Sequence, residues 1–229
     1  KAPKWNDQKN SVPANIKKIH FPLWQQDGCE NWDDIIQTQK PNSKNYIPKL
    51  EDIVTIIYTS GTTGLPKGVV HNFKAISAAP TYLIEEIKRL GLLTDNERFL
   101  SFLPLSHIAE RMLVEMGGLY AGAPISIAES IEKMPENLRD TQPTVFLAVP
   151  LIWTRMQNKI LQRLPQKRLD TLLQIPFLSD LIKKKIKENA GLAAAKFIIS
   201  GAAPIPVALI NWYEKLGIDI YEAYGMSEN

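Results

Sequence analysis

Ten consecutive residues, Thr59-Ser60-Gly61-Thr62-Thr63-Gly64-Leu65-Pro66-Lys67-Gly68, concentrate the groups that hold phosphate. Four hydroxyls can donate to phosphate oxygens. Glycines permit left-handed dihedrals and close backbone approach, so successive amides can point at one anion. Lys67 adds a mobile positive charge. The string is not the common P-loop, which places glycine directly before its lysine and Ser or Thr directly after. Here Pro66 and Gly68 take those places, and Val69-Val70 gives strand texture where a P-loop would start a helix. By composition alone, the segment reads equally well as a Ser/Thr/Gly-rich turn between two strands.

The elements around it suit a ligand site. Residues 53–58 (Ile-Val-Thr-Ile-Ile-Tyr) are β-branched and nearly continuous in apolar residues, as in a buried strand. Asn72 can cap a helix over 73–90, interrupted at Pro80. Strands are expected at 98–103, 125–128, 144–149, 196–200 and 218–221. Helices are expected at 109–120, ended by Gly122, and at 135–140, 152–164, 178–189 and 207–216. This alternation predicts an α/β fold, a mostly parallel sheet flanked by helices. Ligands bind such sheets at the carboxyl ends of the strands. Four predicted strands end in polar or glycine-rich segments: the phosphate-loop candidate, Leu103-Pro104-Leu105-Ser106-His107, Ser200-Gly201-Ala202-Ala203-Pro204, and Tyr224-Gly225-Met226-Ser227-Glu228. Strands lying side by side would bring all four to one crevice.

Composition narrows the classes. With 229 residues, 45% hydrophobic and 22% charged, the chain has the make-up of an ordinary globular domain. A net charge of +3 is too small to argue for nucleic acid. Cys29 is the single cysteine, which rules out an intrachain disulfide and leaves no zinc cluster of thiols. No apolar run reaches membrane-span length and no signal-peptide pattern follows Lys1, so a reducing cytoplasm is expected. Residues 1–50 read as an irregular lead-in with a short helix over 31–38, and residues 51–229 as the α/β unit. Lys183-Lys184-Lys185 with Lys187 reads as a solvated helix face, the alternative being peripheral contact with a membrane surface. A core tryptophan and a surface arginine account for Trp153 and Arg155.

The string from Tyr58 through Gly68 to Val69 resembles the signature of the adenylate-forming superfamily, which holds acyl-CoA synthetases, luciferases and peptide-synthetase adenylation domains. Ser200-Gly201-Ala202-Ala203-Pro204 is similar to that family's second nucleotide-contacting loop. Tyr224-Gly225-Met226-Ser227-Glu228 is similar to its Tyr-Gly-x-Thr-Glu motif, with the hydroxyl kept by Ser227. Ser101-Phe102-Leu103-Pro104-Leu105-Ser106-His107-Ile108-Ala109-Glu110-Arg111, Gln142-Pro143-Thr144-Val145-Phe146 and Val149-Pro150 resemble the long-chain fatty-acid–CoA ligase branch.

The resemblance implies a fold and a chemistry. The fold is part of the layered N-terminal domain of those enzymes. The chemistry is ATP-dependent activation of a long-chain fatty acid to an acyl-adenylate, then thioester formation with coenzyme A. Thr59, Ser60, Gly61, Thr62, Thr63, Gly64 and Lys67 would hold the β- and γ-phosphates, and Ser227 the α-phosphate. Glu228 would bind Mg²⁺. Tyr224 would stack on adenine, with Gly201, Ala202, Ala203, Pro204, Gly225 and Met226 framing the nucleotide. His107 would sit near the acyl carboxylate, its structural alternative being a helix-entry histidine bonded to backbone. Lys67, His107 and Glu228 are thus the catalytic candidates. In the family, a ribose-binding acid, a hinge and a mobile C-terminal domain follow the Tyr-Gly-x-Thr-Glu motif. The chain is therefore expected to be truncated and inactive, or nearly so, by itself. The alternatives are an acyl-AMP ligase, an amino-acid adenylation domain or a non-catalytic nucleotide-binding module.

Overall fold

The computed structural model describes residues 11–21, 28–41, 46–59, 65–94 and 96–228. The chain divides into two compact units, Lys1–Ile47 and Pro48–Asn229. In the first, β1 (Ile19–His20) pairs in parallel with β2 (Glu30–Asn31), and α1 (Trp32–Thr38) follows at once. The Asn31 side chain caps α1 by accepting from the Asp33 amide at 2.8 Å.

In the second unit β3 (Ile53–Thr59) and β4 (Lys67–Asn72) form an antiparallel hairpin. The Asn72 side chain then caps α2 (Phe73–Arg89) through the Ala75 amide. The main sheet is parallel throughout. Its strands are β5 (Phe99–Ser101), β6 (Ile125–Ile127), β7 (Val145–Ala148), β8 (Phe197–Ser200) and β9 (Ile220–Glu222), in the order β6-β5-β7-β8-β9. A π-helix (Glu110–Met116) runs into α3 (Gly117–Ala121) between β5 and β6. The helices α4 (Met134–Thr141), α5 (Pro150–Arg163), α6 (Gln166–Leu173), α7 (Pro176–Ala190) and α8 (Val207–Glu214) complete the unit. The α/β architecture is the expected one.

Strand periodicity sorts the core into two layers. Leu100, Phe146, Ala148, Ile198 and Ile220 face the cluster built with Leu138, Trp153, Leu169, Ile186 and Tyr213, contributed by α4 to α8. Phe99 and Val145, one residue earlier on their strands, face Ile84, Ile87 and Val114 on α2 and the π-helix. Trp153 is fully buried, edge-on to both Phe146 and Tyr213, and donates to the Ala148 carbonyl. Its core reading holds. The amino-terminal edge of the sheet is tied by Glu97, 2% exposed and 3.0 Å from the Lys196 ammonium. Burial pushes the Glu97 carboxyl up, but the nearby Thr144 hydroxyl, together with hydrogen bonds from Thr94 and Lys196 to Oε1, outweighs it and holds the group below the usual range.

Four expectations need correction. β3 is not a buried strand: Ile57 is buried, whereas Ile53, Ile56 and Tyr58 are 50% exposed or more. Nor does it join the main sheet, so it does not deliver its loop to the crevice as a sixth strand beside the five parallel ones. The helix over 73–89 is not interrupted at Pro80. Proline forfeits one backbone bond, and burial of Ile76, Ile84 and Ile87 on the same helix offsets that loss. The helix expected over 109–120 is π-wound over Glu110–Met116 and α-helical on either side of that stretch, ending as expected at Gly122 in the left-handed region.

Candidate functional site

The carboxyl edge of the parallel sheet collects three of the four segments. The loop after β8 begins at buried Gly201, where an added Cβ would lie 3.3 Å from the Ala223 carbonyl oxygen. Gly201 therefore lets the loop after β8 lie against the segment after β9. Ala202 next takes φ 67°, a left-handed turn that is costly for a residue with a side chain. Two bonds lock these segments together: the Ala223 amide donates to the Ser200 carbonyl at 2.8 Å, and the Ile205 amide to Glu222 Oε1 at 3.1 Å. Ala202, Ala203, Pro204, Tyr224, Gly225 and Met226 face solvent, and the Tyr224 ring is 88% exposed. Ser227 is half-buried and Glu228 exposed. A shallow polar shelf with an open aromatic plane results.

His107 follows β5, two strands from β8, which at the usual spacing is roughly 10 Å along the edge. Its amide donates to the Pro104 carbonyl at 2.8 Å, and its Nδ1 accepts from the Ala109 amide at 3.2 Å. The structural role considered for this histidine is therefore real. An accepting Nδ1 leaves the neutral ring's proton on Nε2, a donor for an incoming carboxylate.

The hairpin holds the phosphate-loop candidate. Thr59 and Lys67 face each other in the last register pair of β3 and β4, with Lys67 exposed. The register thus brings the two ends of the turn back to one place. Gly68 pairs with Tyr58, and a Cβ there would meet Ile56 Cγ2 at 2.9 Å. Ser60, Gly61, Thr62, Thr63 and Gly64 lie outside the described residues. Among the described residues, no cluster of three or more His, Cys, Asp or Glu side chains could hold a metal ion.

Sequence reasoning gave Glu110 no role of its own, but the structure marks it out. It opens the π-helix beneath the His107 loop, fully buried, and neither carboxylate oxygen has a hydrogen-bond partner. Burial pushes its carboxyl above the usual range. The Ser101 hydroxyl and the Leu103 and Phe102 amides oppose this from outside good bonding geometry, and the Glu115 carboxylate reinforces it. A raised folded pKa means that the folded state holds the proton more tightly than the unfolded one. Glu110 thus favours folding fully below the ordinary carboxylate range, and that contribution is lost as pH rises through the folded pKa. Glu110→Gln is expected to stabilise the fold at neutral pH by roughly 1–3 kcal/mol, the cost of an unsatisfied buried group, and to flatten the pH slope. Thermal unfolding between pH 5 and 8 checks this, and a melting temperature lowered by the substitution would contradict it.

The sequence matches the family described as "AMP-binding enzyme" over residues 4–229. It is 34% identical over 211 residues to a Mycobacterium tuberculosis protein provisionally named fatty-acid–CoA ligase fadD11, covering 78% of this chain and 36% of that protein. It is 32% identical over 233 residues to the Xenopus laevis long-chain-fatty-acid–CoA ligase ACSBG2, covering 86% of this chain and 29% of that one. The chain thus spans about a third of the length of these relatives. In fold it is similar to the anthranilate CoA ligase AuaEII, solved with anthranoyl-AMP. The TM-score is 0.72 at 21% identity, over 99% of this chain and 39% of that structure. No helix among the described residues is long and apolar enough to cross a membrane.

Proposed function

This chain belongs to the AMP-binding enzymes, and from that membership we propose that the whole protein activates a long-chain fatty acid with ATP and passes it to coenzyme A. The observation that carries the reading is the bonded pair of segments at the carboxyl edge, the Ser200–Ile205 loop tied at both ends to Glu222 and Ala223, from which the Tyr224-Gly225-Met226-Ser227-Glu228 string continues. Named relatives support the substrate class, since both act by name on fatty acids and coenzyme A.

In this reading the fatty-acid carboxylate attacks the α-phosphorus. An acyl O–P bond forms and the bond to the β-phosphate oxygen breaks, releasing pyrophosphate. The coenzyme A thiol then attacks the acyl carbon, loses its proton, and expels AMP. Lys67 and the Thr59 end of the hairpin neutralise and orient the outer phosphates. Ser227 donates to the α-phosphate, and Tyr224 offers its open ring to adenine. His107 donates Nε2–H to the acyl carboxylate. These are positioning and electrostatic tasks, which suit a reaction whose bonds change on the nucleotide. A lone carboxylate at Glu228, completed by substrate phosphates, is a donor set that fits Mg²⁺. The ion would supply charge neutralisation on those phosphates.

The test is fatty-acid-dependent exchange between ATP and pyrophosphate in the full-length protein, followed by AMP release on adding coenzyme A. Exchange driven by a long-chain acid, with turnover driven by coenzyme A, is the expected result. Exchange without that turnover would make the protein an acyl-AMP ligase. No exchange with any fatty acid would remove the substrate assignment.

A further inference from the structure

A second concavity lies away from the carboxyl-edge loops. Helices α4, α5 and α7 line a cavity of about 400 Å³, and among the described residues none proposed for the nucleotide site borders it. Its size falls within the usual range for small-molecule sites, roughly 300–1,000 Å³. The floor is apolar, formed by Leu138, Ile152, Met156, Ile160, Ile182 and Ile186. The rim is cationic: Arg139, Arg155, Lys159, Arg163 and Lys185 all border it, and no acidic side chain among the described residues does.

The sequence builds both halves at helical spacing. On α5, Ile152, Met156 and Ile160 recur every fourth residue, as do Arg155, Lys159 and Arg163 one position before the next apolar residue. Residues four apart share a helix face, so an apolar row and a basic row run side by side. On α7, Ile182 and Ile186 lie beside Lys185 in the same way. Among the described helical cations outside the rim, Arg89, Arg111 and Lys184 have carboxylate partners on their own helices and the others stand singly, so what sets the rim apart is that five cations converge on one apolar pit. Among the described residues, none of the five rim cations has a carboxylate within 4 Å.

Two simpler accounts each leave half of this unexplained. Solvated helix faces explain the cations but not the apolar pit beneath them. An uncharged apolar ligand explains the pit but not five unneutralised charges. We propose that this cavity binds a free single-chain amphiphile, its hydrocarbon tail on the apolar floor and its anionic head, carboxylate or phosphate, among the rim cations. The site is separate from the proposed acyl-transfer chemistry and stands without it.

The experiment uses the full-length protein and a diazirine-bearing palmitate below its micellar concentration, with cross-linked peptides identified by mass spectrometry. Labelling is expected on α5 and α7, in peptides containing Met156, Ile160 or Ile182. Dodecanoate and dodecyl phosphate should compete, dodecanol and inorganic phosphate far less. The pair Arg155→Glu and Lys159→Glu, on a solvent-facing rim, is expected to weaken dodecyl phosphate binding roughly tenfold, about 1.4 kcal/mol, with thermal stability and ATP–pyrophosphate exchange unchanged. Raised salt should weaken binding to the native protein and hardly affect the variant. Labelling confined to peptides around His107, or equal competition by dodecanol, would overturn the proposal. So would binding to anionic vesicles without binding of the monomeric amphiphile. Ile160→Trp, which fills the floor, should abolish labelling; labelling retained in a folded Ile160→Trp protein would also overturn it.

Discussion

Lys67→Ala is expected to lower fatty-acid-dependent ATP–pyrophosphate exchange in the full-length protein by roughly 100- to 1,000-fold, the usual loss when one preorganised charge-stabilising group is removed. Lys67 stands directly across from Thr59 at the mouth of the turn, exposed and without an ion-pair partner among the described residues. Its removal leaves no buried charge behind, so the melting temperature should not move. Glu228→Ala should act differently. A carboxylate that holds Mg²⁺ against phosphate oxygens mainly lowers the metal concentration needed, so added Mg²⁺ should recover part of the exchange. Added Mg²⁺ should do nothing for Lys67→Ala. Steady-state exchange across a magnesium titration, with thermal melts of each variant, separates these outcomes. Equal rescue of both variants would place the two side chains in the same role and undo the assignment. Exchange unaffected by Lys67→Ala would take the hairpin out of the chemistry altogether.

Much of the fold was legible because its signals are local. The apolar run at 145–148 lies between Pro143 and Pro150, and a strand could not be misplaced there. Asn72 marked a helix start that the structure confirms through its cap, and the short helix expected over 31–38 is present with Asn31 as its cap. Gly122 marked an end that its left-handed dihedrals require. The errors came where tertiary contacts decide. Nothing in Ile53 to Thr59 tells a strand buried in a sheet from one in an exposed hairpin, because both read as apolar and β-branched. The π winding after Ala109 has no residue signature in one sequence. Glu110 and Val114, four residues apart, are the buried positions of the π-wound stretch. Helix α6 was missed although Pro165 before Gln166, with Leu169 and Leu173 four apart, was a readable start and face.

The candidate site divides along the same line. Gly201 was identifiable from its motif string, since close backbone approach demands glycine, and Glu228 was a candidate from a string of the same kind. Glu222 was not, because a strand-end glutamate says nothing of the Ile205 amide it will accept from seventeen residues earlier. Glu110 was one residue in the string around His107, while its burial without a hydrogen-bond partner shows only in the folded chain. The basic stretch at 183–187 read as a solvated face. Its Lys185 borders a cavity because α4 and α5, distant in sequence, close over it.

That closure rests on one glycine, and Gly191→Ala should be among the most destabilising single substitutions in the chain. Gly191 caps α7 at φ 74°, ψ 22°, with its amide donating to the Glu188 carbonyl and Leu192 donating to Lys187. A left-handed residue with a side chain costs roughly 1–2 kcal/mol. The added Cβ would also lie 2.5 Å from the Leu138 carbonyl carbon and oxygen and 2.7 Å from the Arg139 amide nitrogen. Those are backbone atoms of α4, which no rotamer change can move, so an overpacking cost of roughly 1–3 kcal/mol adds to the strain. The sum, about 3 kcal/mol, corresponds to a fall in melting temperature of roughly 6–12 °C for a unit of this size. Gly91→Ala and Gly122→Ala provide the control. Both glycines have positive φ, 72° and 65°, but an added Cβ meets nothing within 4 Å. They should lose only the strain share. A Gly191→Ala loss no larger than theirs would show that α4 and α7 can separate freely. The cavity between them would then have no fixed width, and a ligand site there would need ordering by its own occupant. A loss well beyond theirs would mean that α4 and α7 hold the floor and rim at a set distance before any ligand arrives.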